Sequence, residues 1–327
     1  MCSRQLKLLD VKKSLETRDN SIQIAIQKSA EREALTEIAK LEQELEQLRV
    51  RREDRETRRF KKRYNDELEI SKKYFSEGGK QPEIPILDED MLDTVDNVWQ
   101  PGPNTLLIES KRGHECRRTD VATLRGKFRV GVSSGSYFNG HVLGRTWLND
   151  EVINFYFGLM MDRADDDDSL PSIHAFSTFF YPKVAKQGHS SVKRWTRKVD
   201  LFSKDRVLFP IHLGVHWTLA AAIMADKEIV YLDSMGGSNE KCQKVLLTYL
   251  QEEHELRKKA PLPDEWTTRS LSSDIPQQNN SSDCGVFCCK FGDYIARGLL
   301  QFNFKPDDMQ TFRKATCYEI VTGKLLF

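Results

Sequence analysis

The sequence predicts an α+β fold in which helices flank a central group of strands, with a long helical extension before them. Short apolar runs such as RVLFPIHL, from Arg206 to Leu213, are typical of buried strands. Longer apolar runs such as CGVFCCKFGDYIARGLL, from Cys284 to Leu300, are typical of buried helices. The stretch from Met1 to Glu77 contains neither glycine nor proline, which favours a helical extension.

The extension is rich in Glu, Lys, Arg, Gln and Leu, which are good helix formers. Apolar residues within it recur at alternating three- and four-residue steps, the a/d pattern of a coiled coil: Ile38, Leu41, Leu45 and Leu48. The next positions in register are Arg52 and Arg55, which would not bury. Such a short pattern leaves two interpretations open. The segment is either a solvated, partly disordered helix or a coiled coil through which the chain self-associates or docks.

A basic run, RVRREDRETRRFKKR, closes the extension, and Arg49 to Arg63 hold nine basic and three acidic residues. Such a run serves as a nuclear localisation signal, a nucleic-acid contact or only a charged helix face. Helix-breaking residues follow it: Gly78, Gly79, Pro82 and Pro85. We therefore predict two parts, the helical and basic extension over residues 1–80 and a larger domain over residues 81–327.

Further elements of the larger domain follow from the same patterns. Strands are expected at WTLAAAIM, from Trp217 to Met224, and at EIVYLD, from Glu228 to Asp233, and the gap between them has hairpin length. Three more helices are expected, at Trp147–Met161, Asn239–Leu256 and Asp307–Leu326, and Asn149 or Asp150 is able to cap the first.

Two segments of this domain lack a clear period and are predicted to be surface loops. Residues Gly126 to Gly144 are rich in glycine and serine, and Asp165 to Asp168 form an acidic tetrad. Both are expected to be exposed to solvent.

The composition restricts the compartment and the class of partner. With 50 basic and 49 acidic residues the chain is not a polyelectrolyte, and nucleic acid is not an expected partner. No apolar run is long enough for a membrane span, and the start MCSRQLKLLDVKK has no apolar signal core, so secretion is not expected. The cysteines are odd in number and scattered, which favours reduced thiols in the cytosol or nucleus: Cys2, Cys116, Cys242, Cys284, Cys288, Cys289 and Cys317.

One cysteine lies at a boundary between polar and apolar sequence. In PQQNNSSDCGVFCC, from Pro276 to Cys289, Cys284 follows a polar loop and begins the apolar helix. The free amides of a helix start favour a thiolate, and a nearby base completes the activation of a nucleophile. Zinc is the competing use of such residues, but Cys284, Cys288 and Cys289 lack a C-x-x-C step, so no metal is expected.

His216 is the best-placed base among the seven histidines, because it lies where a loop enters the strand WTLAAAIM. Asp233 ends the strand EIVYLD. If the two strands form one hairpin, the start of the first lies beside the end of the second, and the carboxylate can accept the second N–H of the imidazole. Each residue alone has an ordinary structural explanation. Together with Cys284 they predict a cysteine nucleophile, a base and an orienting acid.

The blocks HWTLAAAI, YLDSMGG and PQQNNSSDCGVFCCKF resemble the catalytic blocks of the sentrin/SUMO-specific cysteine proteases, the ubiquitin-like-protease family (peptidase C48). Four further blocks resemble that family in the same order: WLNDEVINFYF, HAFSTFFYPK, VKRWTRKVDLF and FRKATCYEI. The resemblance covers about residues 82 to 327. It implies a papain-like cysteine protease fold, with a central mixed sheet flanked by helices.

The resemblance implies a role for each catalytic residue. Cys284 is the expected nucleophile, His216 the general base and Asp233 the orienting carboxylate. Gln278, six residues before Cys284, is expected to supply a side-chain oxyanion donor beside the backbone N–H of Cys284.

The resemblance also implies substrate-binding residues. Trp147 and Trp217 are expected to close over an extended C-terminal Gly-Gly, because a flat aromatic tunnel admits glycine and excludes branched side chains. Asp150 is expected to pair with a basic residue of the modifier. Core packing is the ordinary alternative for Trp147, and a helix cap is the ordinary alternative for Asp150.

The implied activity is thiol hydrolysis after the C-terminal Gly-Gly of SUMO, which removes SUMO from lysines of target proteins and matures SUMO precursors. SUMO and SUMO-conjugated proteins are the expected partners, and no cofactor is needed. The nucleus is the expected location, with the nuclear envelope and some cytoplasm as further sites. Two alternatives stay open, a protease for another ubiquitin-like modifier and a modifier-binding scaffold with little activity.

Two features depart from the family pattern. An insertion of roughly 15 to 20 residues, within residues 126–144, precedes Trp147 and exceeds a compact connection. It is either a loop that modulates substrate entry, a flexible surface loop or a segment wrongly included in the sequence. The residues Asn-Asn-Ser-Ser, 279–282, replace a commoner glycine-bearing loop, which affects the expected pose of Gln278.

Overall fold

The structure is a computed structural model of the 327-residue chain, and it describes residues 84–125, 147–263, 265–271 and 275–327, together with Lys40, Gln43 and Gln47. The chain divides into two compact units, Met1–Gly79 and Lys80–Phe327. The three described residues of the first unit are helical and exposed. The predicted coiled-coil positions, the basic run and the loop of residues 126–144 lie outside the described residues.

The described part of the second unit contains seven α-helices and seven strands. The helices are α1 (Glu89–Trp99), α2 (Arg118–Val121), α3 (Asp150–Asp166), α4 (Phe180–Gln187), α5 (Glu240–Lys258), α6 (Cys284–Ala296) and α7 (Met309–Thr322). The strands are β1 (Leu106–Glu109), β2 (Glu115–Arg117), β3 (Ile173–Ala175), β4 (Arg206–His212), β5 (Trp217–Ile223), β6 (Glu228–Leu232) and β7 (Thr267–Leu271). Short 3₁₀ turns lie at Ala122–Arg125, His189–Ser191, Leu201–Ser203 and Pro306–Asp308.

Five of these strands form one mixed sheet, in the order β3-β4-β5-β6-β7. The central strands β4, β5 and β6 pair antiparallel, whereas each edge strand pairs parallel with its neighbour. The remaining two strands, β1 and β2, form a separate antiparallel pair. The mixed sheet with flanking helices confirms the predicted α+β class.

The sheet is covered on both faces, which explains why its central strands read as continuous apolar runs. On β5 the residues Leu219 and Ala221 pack into one core with helices α3, α6 and α7. Their neighbours Ala220 and Ala222 point to the opposite face and pack into a second core with α4 and α5. This alternation is the period-two pattern of a strand, and both faces are apolar here because both are buried.

Several predicted helix boundaries are wrong. Helix α6 ends at Ala296, because Gly298 takes a left-handed conformation with φ +82. Helix α7 ends at Thr322 for the same reason, since Gly323 has φ +70. Helix α3 extends beyond the predicted Met161 to Asp166. The predicted cap at its start is confirmed, because Asn149 accepts the N–H of Val152 at 3.1 Å and the helix begins at Asp150.

The acidic tetrad is also only partly a loop. Helix α3 continues through Asp166, so Asp165 and Asp166 are helical, and only Asp167 and Asp168 lie beyond it. All four side chains are exposed. Asp165 is held by an ion pair with Arg112 at 2.5 Å. In the described part of the chain, no helix combines the length and apolar character needed to cross a bilayer.

Candidate active site

The hairpin of β5 and β6 brings a histidine and a carboxylate together. Leu219 of β5 pairs with Leu232 of β6, so the residues just before β5 and just after β6 lie at one end of the sheet. His216 occupies the first of these positions and Asp233 the second. Nε2 of His216 lies 2.6 Å from Oδ1 of Asp233. The carboxylate therefore fixes the ring and leaves Nδ1 for another partner.

Asp233 is held by the turn that follows it. Its Oδ1 also accepts the backbone N–H of Met235 at 2.8 Å, and the backbone N–H of Gly237 donates to the same carboxylate. Burial raises the pKa of Asp233. The hydrogen bonds from His216 and the two amides lower it by more, so the net shift is downward. The carboxylate is thus ionised at neutral pH.

Gly237 permits this close approach. A Cβ atom at Gly237 would lie 2.5 Å from Oδ2 of Asp233, a distance that real Cβ contacts do not show. The glycine therefore makes room for the carboxylate.

Cys284 is the first residue of α6, and its side chain forms a hydrogen bond with His216. Only 2% of Cys284 is exposed. The hydrogen bond to Asp233 and the hydrogen bond to Cys284 are the two largest causes that raise the pKa of His216 to about 9. His216 is therefore a cation at neutral pH, and it lies beside the sulfur at the start of a helix.

The neighbouring cysteines have different surroundings. Cys288 and Cys289 lie deeper in α6, and desolvation raises the pKa of both thiols above the ordinary value. The thiol of Cys288 donates to the carbonyl of Thr218 at 3.3 Å. Both residues are part of the core. Across residues 84–125, 147–263, 265–271 and 275–327, no group of three or more His, Cys, Asp or Glu side chains has a metal-binding arrangement.

The loop before Cys284 is fixed by a buried ion pair. Arg313 of α7 is 1% exposed, and its Nε donates to Oδ1 of Asp283 at 2.8 Å. The same guanidinium donates to the carbonyls of Ser282, at 2.8 Å, and Thr123, at 3.2 Å. Because Asp283 directly precedes Cys284, this network sets the position of the peptide that carries Cys284.

Asn280 organises the loop from its other side. Its Oδ1 accepts the backbone N–H groups of Ser282, at 2.9 Å, and Asp283, at 3.1 Å. Its Nδ2 donates to the Asp283 carboxylate at 2.7 Å. The Asn-Asn-Ser-Ser segment is therefore an ordered turn built from side-chain contacts.

Gln278 is tied to the residue that follows Asp233. Its Oε1 accepts the hydroxyl of Ser234 at 2.6 Å, and its backbone N–H donates to the Ser234 carbonyl at 2.8 Å. Its Nε2 donates to the carbonyl of Asn280 at 2.5 Å. An amide nitrogen carries two protons, so one N–H remains for a ligand. Contacts thus run without a break from Cys284 through His216, Asp233 and Ser234 to Gln278.

The two tryptophans lie in different environments. Trp147 is 41% exposed, and its indole N–H donates to the carbonyl of Ser281 at 2.7 Å, in the loop before Cys284. Trp217 is only 3% exposed, and its N–H donates to the carbonyl of Leu148 at 2.9 Å. The structure therefore brings both segments to the site. The indole of Trp147 is exposed to solvent, whereas the indole of Trp217 is buried.

A glycine brings the segment after Trp147 close to Cys284. A Cβ atom at Gly285 would lie 2.9 Å from Leu148, so the glycine lets α6 approach the residue after Trp147.

Asp150 is the first residue of α3 and is partly exposed. Because Asn149 caps the helix, the Asp150 carboxylate is not needed for that task, and it forms no ion pair with any described residue.

The structure adds residues that the sequence analysis did not single out. Ser234, Asn280 and Arg313 hold the predicted site residues, and Gly237 makes space for one of them. Ser234 is adjacent to Asp233 in the quoted block YLDSMGG, which is a local signal. Arg313 lies in the quoted block FRKATCYEI, but no local pattern marks it as the partner of Asp283, which it reaches from a helix 30 residues later.

Comparisons with known proteins identify the family of the chain. The family model of the Ulp1 protease family, C-terminal catalytic domain, matches residues 146–325. A sentrin-specific protease of Caenorhabditis elegans is 40% identical over 234 residues, 71% of this chain and 31% of that protein. Sentrin-specific protease 2 of Homo sapiens is 40% identical over 242 residues, 73% of this chain and 38% of that protein. This chain thus matches less than half the length of these curated relatives.

Solved structures show the same fold. The C-terminal Ulp1 protease domain in complex with Smt3, the yeast ortholog of SUMO, is 26% identical with a TM-score of 0.61, over 74% of this chain and 98% of that domain. The SUMO protease Ulp1 with its catalytic cysteine oxidised to a sulfonic acid is 27% identical with a TM-score of 0.59, over 73% and 98%. With a family model that covers more than half of its residues and a matching fold, the chain belongs to the Ulp1 protease family.

Proposed function

We propose that this chain is a SUMO-specific cysteine protease that hydrolyses the bond after the C-terminal Gly-Gly of SUMO. The reaction removes SUMO from lysines of target proteins and matures SUMO precursors. One observation carries the proposal: Cys284 is hydrogen bonded to His216, whose Nε2 lies 2.6 Å from Asp233. The names of the relatives, sentrin-specific proteases, and the neighbour solved with Smt3 support SUMO as the modifier.

Acylation uses the charged pair at the start of α6. The Cys284 thiolate attacks the carbonyl carbon of the last glycine, and a sulfur–carbon bond forms. As the carbon–nitrogen bond breaks, His216 gives its proton to the departing lysine amine. Asp233 keeps the ring oriented throughout. The products are the target protein with a free lysine side chain and a thioester between the modifier and Cys284.

Deacylation returns the enzyme to its starting state. The neutral His216 takes a proton from water, and the oxygen attacks the thioester carbonyl. The sulfur–carbon bond then breaks and leaves a carboxylate on the modifier and a thiolate on Cys284. The Gln278 amide and the backbone N–H of Cys284 donate to the oxyanion in both steps, the kind of contact that is worth about 10²–10³ in kcat. No cofactor takes part.

Substrate selection rests on two surfaces. Trp147 lies beside the nucleophile loop, and its exposed indole provides a flat wall for an extended Gly-Gly. Trp217 lies below the surface, where its indole N–H donates to the carbonyl of Leu148, the residue after Trp147. The absence of side chains on Gly-Gly lets the substrate backbone pass close to these groups.

A second surface extends from the start of α3 and would contact the folded body of the modifier. Phe179 is 55% exposed, and the preceding Thr178 is hydrogen bonded to Asn154 of α3 at 2.9 Å. Asp150 lies about one helical turn before Asn154. An exposed aromatic ring and a partly exposed carboxylate on this surface are able to contact an apolar and basic patch.

Replacement of the nucleophile tests the activity. Wild-type protein is expected to cleave a SUMO–reporter fusion, whereas Cys284→Ser is expected to lose cleavage but still bind SUMO. A parallel panel of other ubiquitin-like modifiers separates SUMO specificity from the related alternative. Cleavage of another modifier in preference to SUMO refutes the specificity. Binding without any cleavage by wild-type protein indicates a scaffold.

The docking surface is tested by steady-state kinetics. Asp150→Asn and Phe179→Ala are expected to raise KM for a SUMO fusion about fivefold or more while kcat stays within twofold, because each group acts on ground-state binding. Leu106→Ala is the matched control, because Leu106 is 44% exposed but lies on the separate β1–β2 pair. An unchanged KM in both variants contradicts the proposed surface.

We also propose that the protein acts in the nucleus, including the nuclear envelope, with some in the cytoplasm. The basic run Arg49–Arg63 supports this location. Deletion of the run from a tagged protein is expected to reduce nuclear accumulation, and unchanged accumulation contradicts the proposal. The a/d pattern before the run supports self-association or docking through the N-terminal helix, which the mass of the chain in solution tests.

A further inference from the structure

The carboxamide of Gln278 has two ends of similar shape and opposite polarity. Only one orientation presents an N–H to the developing oxyanion, and rotation by half a turn would present the carbonyl oxygen and repel it. Function therefore requires contacts that select one orientation. In the structure Oε1 accepts from Ser234 Oγ at 2.6 Å, and Nε2 donates to the Asn280 carbonyl at 2.5 Å.

Both contacts oppose the rotated amide. Rotation would place Oε1 against the Asn280 carbonyl, where two acceptors repel each other. It would also deprive the Ser234 hydroxyl proton of its acceptor, and among the described residues Gln278 is the partner of that hydroxyl. Ser234 is only 1% exposed, so water does not easily replace the lost acceptor.

We infer that Ser234 is a positioning residue for the reaction, whose hydroxyl holds the Gln278 carboxamide with an N–H toward the oxyanion. This inference rests on the proposed function. One turn then serves both halves of the chemistry, because Asp233 orients the base and the next residue orients the oxyanion donor. The backbone bond from the Gln278 N–H to the Ser234 carbonyl, at 2.8 Å, does not involve the hydroxyl. Ser234→Ala therefore removes the side-chain contact and leaves the loop attached.

The test is a double-mutant cycle on SUMO with a C-terminal fluorogenic amide. For Ser234→Ala we expect kcat to fall about three- to tenfold with KM within twofold, because one hydrogen bond is lost. For Gln278→Ala we expect a fall of about 10²–10³. The double variant is expected to match Gln278→Ala within twofold, because the hydroxyl acts only through the amide.

Two further measurements separate positioning from a general structural role. Alkylation of Cys284 by iodoacetamide needs no oxyanion donor, so its rate is expected to stay within twofold of wild type in every variant. Ser234→Cys keeps the shape but donates a weaker hydrogen bond, and its kcat is expected to lie between wild type and Ser234→Ala. Ser191→Ala, which removes a remote hydroxyl bonded to the Gly188 carbonyl, is the control with unchanged kcat.

Three results would overturn the role of Ser234. These are a wild-type kcat in Ser234→Ala, a double variant that is slower than Gln278→Ala by the full factor of the single change, and alkylation that falls in parallel with kcat. Failure of the wild-type chain to cleave the SUMO amide is a different outcome, which refutes the proposed function and with it this inference.

Discussion

Replacement of Gly237 by alanine tests whether the Asp233 carboxylate must lie where the structure places it. The added Cβ would lie 2.5 Å from Oδ2 of Asp233, about 0.9 Å closer than ordinary van der Waals contact. Either the carboxylate or the turn must move. The substitution adds one methyl group and removes no catalytic group, so any loss of activity reports on the position of the acid.

The size of the effect follows from the hydrogen bond to His216. That bond is 2.6 Å long, and a displacement of about 0.9 Å would stretch it to the limit of a hydrogen bond or break it. Removal of the orienting acid from a serine-protease triad costs about 10⁴ in kcat. A displaced but present Asp233 should cost less, and we expect kcat to fall about 10- to 100-fold. Overpacking should also lower the free energy of unfolding by about 1–3 kcal/mol.

The assay combines turnover of a SUMO–reporter fusion with thermal unfolding. KM is expected to stay within twofold, because Gly237 is not on the proposed docking surface. Gly158→Ala in helix α3 is the matched control, since its Cβ would lie 3.4 Å from His114, an ordinary contact. It should keep wild-type kcat. A folded Gly237→Ala protein with wild-type kcat would refute the requirement for a precisely placed Asp233 carboxylate.

Two other predictions concern the charges around the site. Arg313→Met should lower the free energy of unfolding by about 3–5 kcal/mol, measured by chemical denaturation, because it leaves the buried Asp283 carboxylate unpaired; a loss below 1 kcal/mol would contradict the role of this pair. His216 should titrate near pH 9 in an NMR experiment with labelled histidine, and Asp233→Asn should lower that pKa. Folding raises the pKa of His216, so the stabilisation from His216 is fully present below the pKa of the unfolded state and disappears as the pH rises through about 9. The wild-type protein should therefore lose stability over that pH window more steeply than Asp233→Asn. Equal pKa values in both proteins would contradict the hydrogen bond.

The central strands and the triad geometry are predictable from sequence because the connections that create them are local. His216 and Asp233 are 17 residues apart, and the hairpin between them leaves little choice of geometry. Cys284 is marked by an abrupt change from polar to apolar residues, which positions it at the start of a buried helix. Gly298 and Gly323 also indicate where helices α6 and α7 end, because a left-handed residue terminates a helix.

The supporting contacts are not predictable in this way, because they join distant segments. Ser234 and Gln278 are 44 residues apart, and Asp283 meets an arginine 30 residues later. A buried arginine in an amphipathic helix reads from sequence as a surface residue. The edge strand β3, with three residues, is too short for a periodic pattern. The hydrogen bond from the Trp217 indole to the Leu148 carbonyl joins residues 69 positions apart, which no local pattern encodes.

The central claim is that Cys284 forms the covalent intermediate with the modifier. Its most direct test is reaction of the full chain with SUMO that carries a C-terminal electrophile, followed by peptide mapping of the adduct. A single adduct on Cys284, absent from Cys284→Ser and slowed in Asp233→Asn, is the predicted result. An adduct on another cysteine, or continued hydrolysis of SUMO fusions by Cys284→Ser, would contradict the mechanism.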